Sequence, residues 1–327
     1  MDPKVTILTP AFNAAPYLAA TIESVLAQTM SSFEMIVVDD GSGDDTAGIA
    51  EHFARREPRI RVIRQPNAGV AAARNVAIAD GRGDCFALLD SDDRWMPSYL
   101  DTQLRILAEQ PSVDIVSCNA LNDGGDWDAR PLRPASGPVR PIPLLEMIEV
   151  EDSVSVMAVF RRRVVERVGM FNPRLRGNED YEYWLRAAAA DLIVAFNPTP
   201  LAYYRRRADS MSANERGMLT GIIRVLTAMR SLCQGRPLEL AAINRQIGHF
   251  ERRRLTIVAK EAFLANQYDA AASAFDELGV RFGAPYRLLS AVCRTAPRGI
   301  RVGYAFKRTA GQLSRQFGQL KVRVSTR

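Results

Sequence analysis

Acidic side chains gather at Asp39-Asp40, Asp90-Ser91-Asp92-Asp93 and Glu179-Asp180, among other places along the chain. Like charges packed this closely repel, and such clusters persist best beside a cation. The Asp90–Asp93 donors are hard carboxylate oxygens with no His or Cys among them, a set that suits Mg2+ or Mn2+. In extended backbone, residues i and i+2 face the same way, so Asp90 and Asp92 can aim at one ion. Alone, the same run also describes a solvated turn. Glu179-Asp180 has two readings as well. The pair can be a carboxylate base whose proton affinity its neighbour raises, or simply two acids favoured at a helix N-terminus by the helix dipole. Two histidines, His52 and His249, leave little material for a Ser-His-Asp triad. Cys85, Cys118, Cys233 and Cys293 lie far apart with no C-x-x-C pair, which argues against a disulfide framework or zinc cluster and for a reducing compartment.

The elements that must position these acids alternate. Short β-branched or apolar runs at 5–9, 35–38, 60–63, 86–89 and 115–118 read as strands. Helical spacing appears at 16–27, 45–55, 71–79 and 97–109. This alternation predicts a largely parallel sheet with helices on both faces. Ligands collect at the carboxyl ends of such strands, and three of those ends carry residues 10–13, 39–42 and 90–93. Residues 122–143 hold five prolines and three glycines and read as a long loop over the sheet edge, either a lid or a surface insertion. A strand at 154–160, a short helix at 162–168 and a helix running from the Glu179-Asp180 region into 187–190 follow.

Length and charge divide the chain further. At 327 residues it is long enough for about two domains. Residues 216–327 carry 20 Lys/Arg against six Asp/Glu, a balance of +14. That leaves 23 against 31 in residues 1–215, a balance of −8. Strand signals stop near 215, and amphipathic helices are expected at 218–233, 238–266 and 268–282, with residues 260–278 reading as a helical hairpin. Phe306, Ala310, Leu313, Phe317 and Leu320 continue at helical spacing among basic residues, the pattern of an interfacial helix. A basic region of this kind suits an anionic membrane surface, an oligomer contact or a solvated helical cap. It carries no recognisable nucleic-acid-binding motif, so no nucleic acid is expected. No run approaches the roughly 20 apolar residues of a membrane span, and the N-terminus enters strand-like sequence directly without a signal peptide. The expected location is cytoplasmic, with peripheral attachment to the inner face of the plasma membrane as an added possibility.

Several short motifs occur in order over about the first 210 residues. They are Val5-Thr6-Ile7-Leu8-Thr9-Pro10-Ala11-Phe12-Asn13, Ser24-Val25-Leu26-Ala27-Gln28-Thr29, Val37-Val38-Asp39-Asp40-Gly41-Ser42, Asn67-Ala68-Gly69, Ala73-Arg74-Asn75, Leu89-Asp90-Ser91-Asp92-Asp93, and Glu179-Asp180 followed by Trp184-Leu185-Arg186. Together they resemble the family 2 nucleotide-sugar glycosyltransferases of GT-A fold. The resemblance implies a Rossmann-like α/β domain at 1–215; residues 216–327 lie outside it and are expected, from their helical spacing, to form a C-terminal all-α extension. It also implies envelope polysaccharide synthesis, with a nucleoside-diphosphate sugar as donor (a UDP-sugar first) and a glycan or lipid-linked acceptor.

Residue by residue, the resemblance places Pro10, Phe12, Asn13, Asp40, Arg74, Asp90 and Ser91 around the nucleotide, with Phe12 where the family usually has Tyr. Asp92, with Asp90, matches the acids that hold Mn2+ or Mg2+ on the diphosphate. Asp180 matches the general base of an inverting transfer, with Glu179 beside it. Trp184, one helical turn on, is either an acceptor platform or core. Where family members often carry a His, this chain has Arg207. A guanidinium cannot ligate a cation but can bind phosphate oxygens, so Arg207 or Arg206 is expected at the diphosphate. Two other classes remain at this stage. A non-catalytic sugar-nucleotide or glycan-binding module would share these residues. A nucleotide-dependent oxidoreductase is disfavoured because no G-x-G-x-x-G follows the first strand.

Overall fold

The computed structural model describes residues 3–125, 128–134, 136–151, 153–207, 210 and 213–295. Strands β1 (Val5–Ala11) and β2 (Phe33–Asp39) are buried at every position, which explains their continuous apolar character. They pair in parallel, from Val5 opposite Phe33 to Ala11 opposite Asp39. Helix α1 (Ala15–Leu26) connects them and buries Leu18, Ile22 and Val25. After α2 (Thr46–Ala54), β3 (Ile60–Arg64) adds outside β2. After α3 (Val70–Asp80), the chain crosses back to place β4 (Cys85–Leu88) on the other side of β1. All three pairings are parallel, as the alternation predicts.

The second half of the sheet is mixed. It contains β5 (Arg94–Trp95), β6 (Val113–Asp123), β7 (Arg140–Pro141), β8 (Ala158–Arg161) and β9 (Ile193–Arg205). The strand order is β3-β2-β1-β4-β8-β6-β9-β5, with β7 pairing β9 off that path. Strand β8 runs antiparallel between β4 and β6, whereas β6 and β9 are parallel. The strand expected over 154–160 is therefore shorter and later. Strand β9, which the sequence reading leaves out, is the longest in the sheet at 13 residues. Its Pro198 and Pro200 lie at the register shifts opposite Cys118, Asn119 and Ala120, where the ladder is irregular and a missing N–H is tolerated.

Helices α4 (Tyr99–Glu109), α5 (Leu144–Glu149), α6 (Arg162–Val168) and α7 (Glu179–Ala189) complete the sheet's covering. An aromatic cluster of Phe160, Phe171, Tyr183 and Trp184 joins β8 to α7; Phe171 and Tyr183 stack at 4.1 Å between centroids. The four cysteines are buried and free.

The chain divides into two compact units, Met1–Ile247 and Gly248–Arg327. The first includes α8 (Glu215–Leu232) and so runs past residue 215, where the sequence reading sets its boundary. The dividing point falls inside α9 (Pro237–Leu264). In the second unit α10 (Tyr268–Phe282) and α11 (Ala284–Thr295) pack as a hairpin, with Ala271, Ala272 and Cys293 buried against Ala262 and Phe263. The basic amphipathic stretch beyond residue 300 lies outside the described residues. Among the described residues, no helix is long and apolar enough to cross a membrane.

Candidate active site

Strand order reverses between β1 and β4, because the chain leaves β1 toward β2 and β3 before returning. Loops that leave the carboxyl ends of two such strands in opposite directions open a crevice between them. On the β1 side Pro10 is buried within the strand. Phe12, just past the end of β1, is 52% exposed. Asn13 adopts a left-handed φ of 48°. Its backbone N–H donates to Ser42 Oγ at 2.9 Å, and its side-chain oxygen accepts from the Gly43 N–H at 2.8 Å. These bonds lock the β1 and β2 ends together.

Asp40, expected near the nucleotide, is buried, and the loop ahead of α3 already occupies its carboxylate. Oδ1 accepts from Gln65 Nε2 at 2.7 Å and the Ala68 N–H at 2.8 Å, and Oδ2 accepts from the Gly69 N–H at 2.8 Å. These bonds tie the end of β2 to the loop ahead of α3. Gly41, at φ +76°, permits the approach: a Cβ there would meet Asn67 N at 2.9 Å.

Beyond β4 residues 90–93 form a turn, with the Asp93 N–H donating to the Asp90 carbonyl at 3.1 Å, rather than the extended backbone on which the i, i+2 argument rests. Asp93 points inward. Its Oδ1 accepts from the Arg205 N–H at 2.8 Å, and burial, with the charges of Asp90 and Asp92, pushes its carboxyl well above the usual range. Asp90 and Asp92 remain partly open to the crevice. The Thr21 hydroxyl on α1 donates to the Asp93 carbonyl at 2.8 Å, with the Ser91 carbonyl at 3.0 Å, pinning the turn. Burial and the neighbouring Asp90 charge raise the Asp92 carboxyl, opposed by Arg207 and Arg205. Arg207 Nη1 lies 3.3 Å from Asp92 Oδ2. The substitution of Arg for the expected His thus places a guanidinium directly against the acid matched to metal binding.

Arg74 connects this turn to α7. Its side chain is only 1% exposed, with Nη2 2.7 Å from Asp90 Oδ1 and Nη1 2.7 Å from Glu179 Oε1. Burial opposes its charge, but Asp90, Glu179 and Asp180 outweigh burial and raise its pKa. Glu179, expected beside the base, is buried, with its carboxylate on Arg74. Trp184 is fully buried in the aromatic cluster, which supports the core reading.

Helix α7 begins directly after Asn178, which takes a left-handed φ of 59°, a conformation Asn tolerates better than most residues. Three acids occupy its first turn, where the helix dipole favours them. Asp180 is half-buried, and its pKa is pushed up to about 6 by burial first and then by Glu179, against the pull of Arg74.

Asp180 also lines a cavity of about 250 Å3 whose wall includes Asn119, Arg133, Ser155, Met157, Tyr204 and Arg206. The proline-rich segment builds one side of it. The segment folds back along β6, with the Leu132 N–H donating to the Ala120 carbonyl at 2.8 Å and Asn119 Nδ2 donating to the Arg133 carbonyl at 2.8 Å. Arg206, expected at the diphosphate with Arg207, turns the other way and donates to Asn122 Oδ1 at 2.7 Å. Such alternation is normal for successive extended residues. The sequence reading misses Tyr17 and Arg205. The Tyr17 ring lies 4.8 Å from the Arg207 guanidinium and 5.2 Å from that of Arg205. No spacing signal links α1 to the end of β9.

The donor set has a definite limit. Asp90 and Asp92 offer hard oxygens, and the described residues gather no cluster of three or more His, Cys, Asp or Glu fit to hold a metal ion. Mg2+ and Mn2+ often take one or two carboxylates and complete their shell with substrate phosphates and water. The pair fits such an ion in company with a diphosphate.

The mixed sheet, reversed strand order and acid-lined crevice define a GT-A transferase fold. A model of glycosyl transferase family 2 matches residues 6–169, and the chain belongs to that family. It is 31% identical over 224 residues to a Bacillus subtilis (strain 168) protein provisionally named teichuronic acid biosynthesis glycosyltransferase TuaG, covering 65% of this chain and 83% of that one. It is 40% identical over 126 residues to the uncharacterized glycosyltransferase EpsJ of the same organism, a stretch that spans 38% of this chain and only 36% of that one. Among solved structures, S. aureus TarS residues 1–349 with UDP-GlcNAc aligns over 89% of this chain and 87% of that one, at TM-score 0.62 and 18% identity. The mannosyltransferase PcManGT from Pyrobaculum calidifontis, in complex with GDP-Man and Mn2+, aligns over 89% and 79% at TM-score 0.61 and 18% identity. At that identity the likeness is one of fold.

Proposed function

We propose that this chain transfers a glycosyl group from a nucleoside-diphosphate sugar to a hydroxyl of a glycan or lipid-linked acceptor in envelope polysaccharide synthesis, with inversion at the anomeric carbon. One observation supports the reading: Arg74 bridges Asp90 at the β4 end and Glu179 at the start of α7, with Asp180 next to Glu179 and electrostatically coupled to Arg74 and Asp90. The neighbours' UDP-GlcNAc and GDP-Man complexes support a nucleotide-sugar donor.

In this reading the exposed ring of Phe12 receives the base, and Asn13 and Ser91 border the ribose. Asp92 and Asp90 would hold Mg2+ or Mn2+, and that ion when bound would neutralise charge on the departing group. Arg207 faces the same phosphates. Asp180 accepts the proton of the acceptor hydroxyl while the oxygen attacks the anomeric carbon and the bond to the diphosphate breaks. With one base and a direct displacement, the configuration inverts.

The test is a thermal-shift screen of nucleoside diphosphates and their sugar conjugates with and without Mn2+, followed by NMR of the product made from the best donor. A product of inverted anomeric configuration is expected. Retention of configuration, or the absence of any stabilising nucleotide, contradicts the proposal.

A further inference from the structure

The cavity beside Asp180 has an unbalanced wall. Its lining holds two guanidiniums, Arg133 and Arg206, against the single carboxylate of Asp180. Among the described residues, both arginines bond only to neutral oxygens: Arg133 Nη1 to the Ser153 carbonyl and Arg206 Nε to Asn122 Oδ1. Each also lies over a ring, Arg133 at 4.9 Å from the Phe196 centroid and Arg206 at 5.0 Å from that of Tyr204. Glu146, whose pKa Arg133 helps to lower, is itself held by both terminal nitrogens of Arg140. Elsewhere near the crevice, arginines meet carboxylates directly, as Arg74 does with Asp90 and Arg207 with Asp92. Two cations fixed by rings and amides at a part-apolar wall are arranged to receive an anion from outside, because a guanidinium matches carboxylate and phosphate geometry and charge-assisted bonds are the stronger ones.

The anion is not the donor's diphosphate in this arrangement. That group belongs with Asp90, Asp92 and Arg207, whereas Arg206 turns into the cavity with Asp180. Val154, Val156, Leu132 and Met157 make the remaining wall suited to the apolar face of a sugar or polyol.

Resting on the proposed transfer reaction, we infer that the acceptor carries an anionic group, a carboxylate or a phosphate, close to its nucleophilic hydroxyl, and that Arg133 and Arg206 receive it. The two arginines would thereby set acceptor specificity, with Asp180 placed at the hydroxyl.

The experiment titrates paired probes into the full chain saturated with the nucleoside diphosphate that stabilises it, read by ligand-detected NMR. Methyl glucuronide is compared with methyl glucoside, and glycerol 3-phosphate with glycerol, so that the two arms separate a carboxylate from a phosphate. At least one charged probe is expected to bind about tenfold or more tightly than its neutral partner. Arg133→Gln is expected to abolish that preference, and Arg133→Lys to keep part of it, with nucleoside-diphosphate affinity unchanged in both. Equal affinity within both pairs, including no detectable binding of any probe, overturns the inference. So does a preference that survives in both Arg133→Gln and Arg206→Gln, or a loss of nucleotide affinity in Arg133→Gln. Since the readout is binding, charged-probe selectivity in a chain without transfer activity would count against the transferase reading alone. Donor turnover without charged-probe selectivity would count against this inference alone.

Discussion

The guanidinium of Arg74 lies 2.7 Å from Glu179 Oε1, across 105 residues of chain and almost out of contact with water. Its other terminal nitrogen holds Asp90. Removing one partner from such a buried arrangement strands charge and typically costs about 3–5 kcal/mol. Arg74→Ala is therefore expected to lower unfolding free energy by about that amount in urea denaturation and to weaken nucleotide binding as Asp90 loses its support. Arg74→Lys keeps the charge but cannot bridge both acids with a planar fork, so it should recover only part of the loss. A fully stable Arg74→Ala variant would contradict the role of this pair.

The raised Asp180 pKa makes a signed prediction. A base must be deprotonated, so transfer should rise with pH through about 6 and level off above it. Glu179→Gln removes a like charge that helps hold the pKa up, so the acidic limb should shift to lower pH. For stability the sign is opposite. The folded carboxyl keeps its proton to about 6 while an ordinary aspartate loses it near 3.8, so its contribution is present below about 3.8 and is lost as pH rises through about 6. Rate–pH profiles of both proteins test the first statement. Denaturation of the parent and Asp180→Asn across the same range tests the second.

Metal removal separates the charges around the diphosphate. Dialysis against a chelator is expected to reduce transfer strongly, with recovery on addition of Mn2+ or Mg2+. Arg207→Gln should weaken nucleoside-diphosphate affinity by about tenfold, the scale of one lost charge-assisted contact, even with metal present. Calorimetric titration checks this; unaltered affinity would leave Arg207 as a partner of Asp92 alone.

Trp184 packs against Phe160, Phe171 and Tyr183 with no exposed surface. Trp184→Ala is expected to destabilise the fold by about 3–5 kcal/mol. Trp184→Phe should cost much less and leave the acceptor KM where it was. A raised KM in a stable Trp184→Phe variant would return the residue to the acceptor site.

Much of the parallel half of the sheet was legible because β1, β2 and β4 are buried on both faces and announce themselves as apolar runs ended by Asn, Asp or Gly. Strand β9 was not, since Pro198 and Pro200 hide it from any pattern that treats proline as a strand breaker. Its register shifts beside β6 are what accommodate them. That omission concealed the end of the strand, where Arg205 braces Asp93 and Arg207 meets Asp92. Alternation does not anticipate the turn at 90–93, where the Asp93 N–H donates to the Asp90 carbonyl at 3.1 Å, and the burial of Glu179 on Arg74 depends on chain crossing that no local spacing records. The cavity wall from the proline-rich segment was likewise invisible: prolines mark a loop but not the β6 edge on which it folds.

The account's central claim concerns one carboxylate. Asp180→Asn keeps the size of the side chain and removes its capacity to take a proton. Single-turnover transfer with a saturating donor, measured beside calorimetric binding of the nucleoside diphosphate, tests it most directly. The predicted result is a rate lower by about 10²–10⁴ with nucleotide affinity within about twofold of the parent's. Transfer by Asp180→Asn at the parental rate would contradict it.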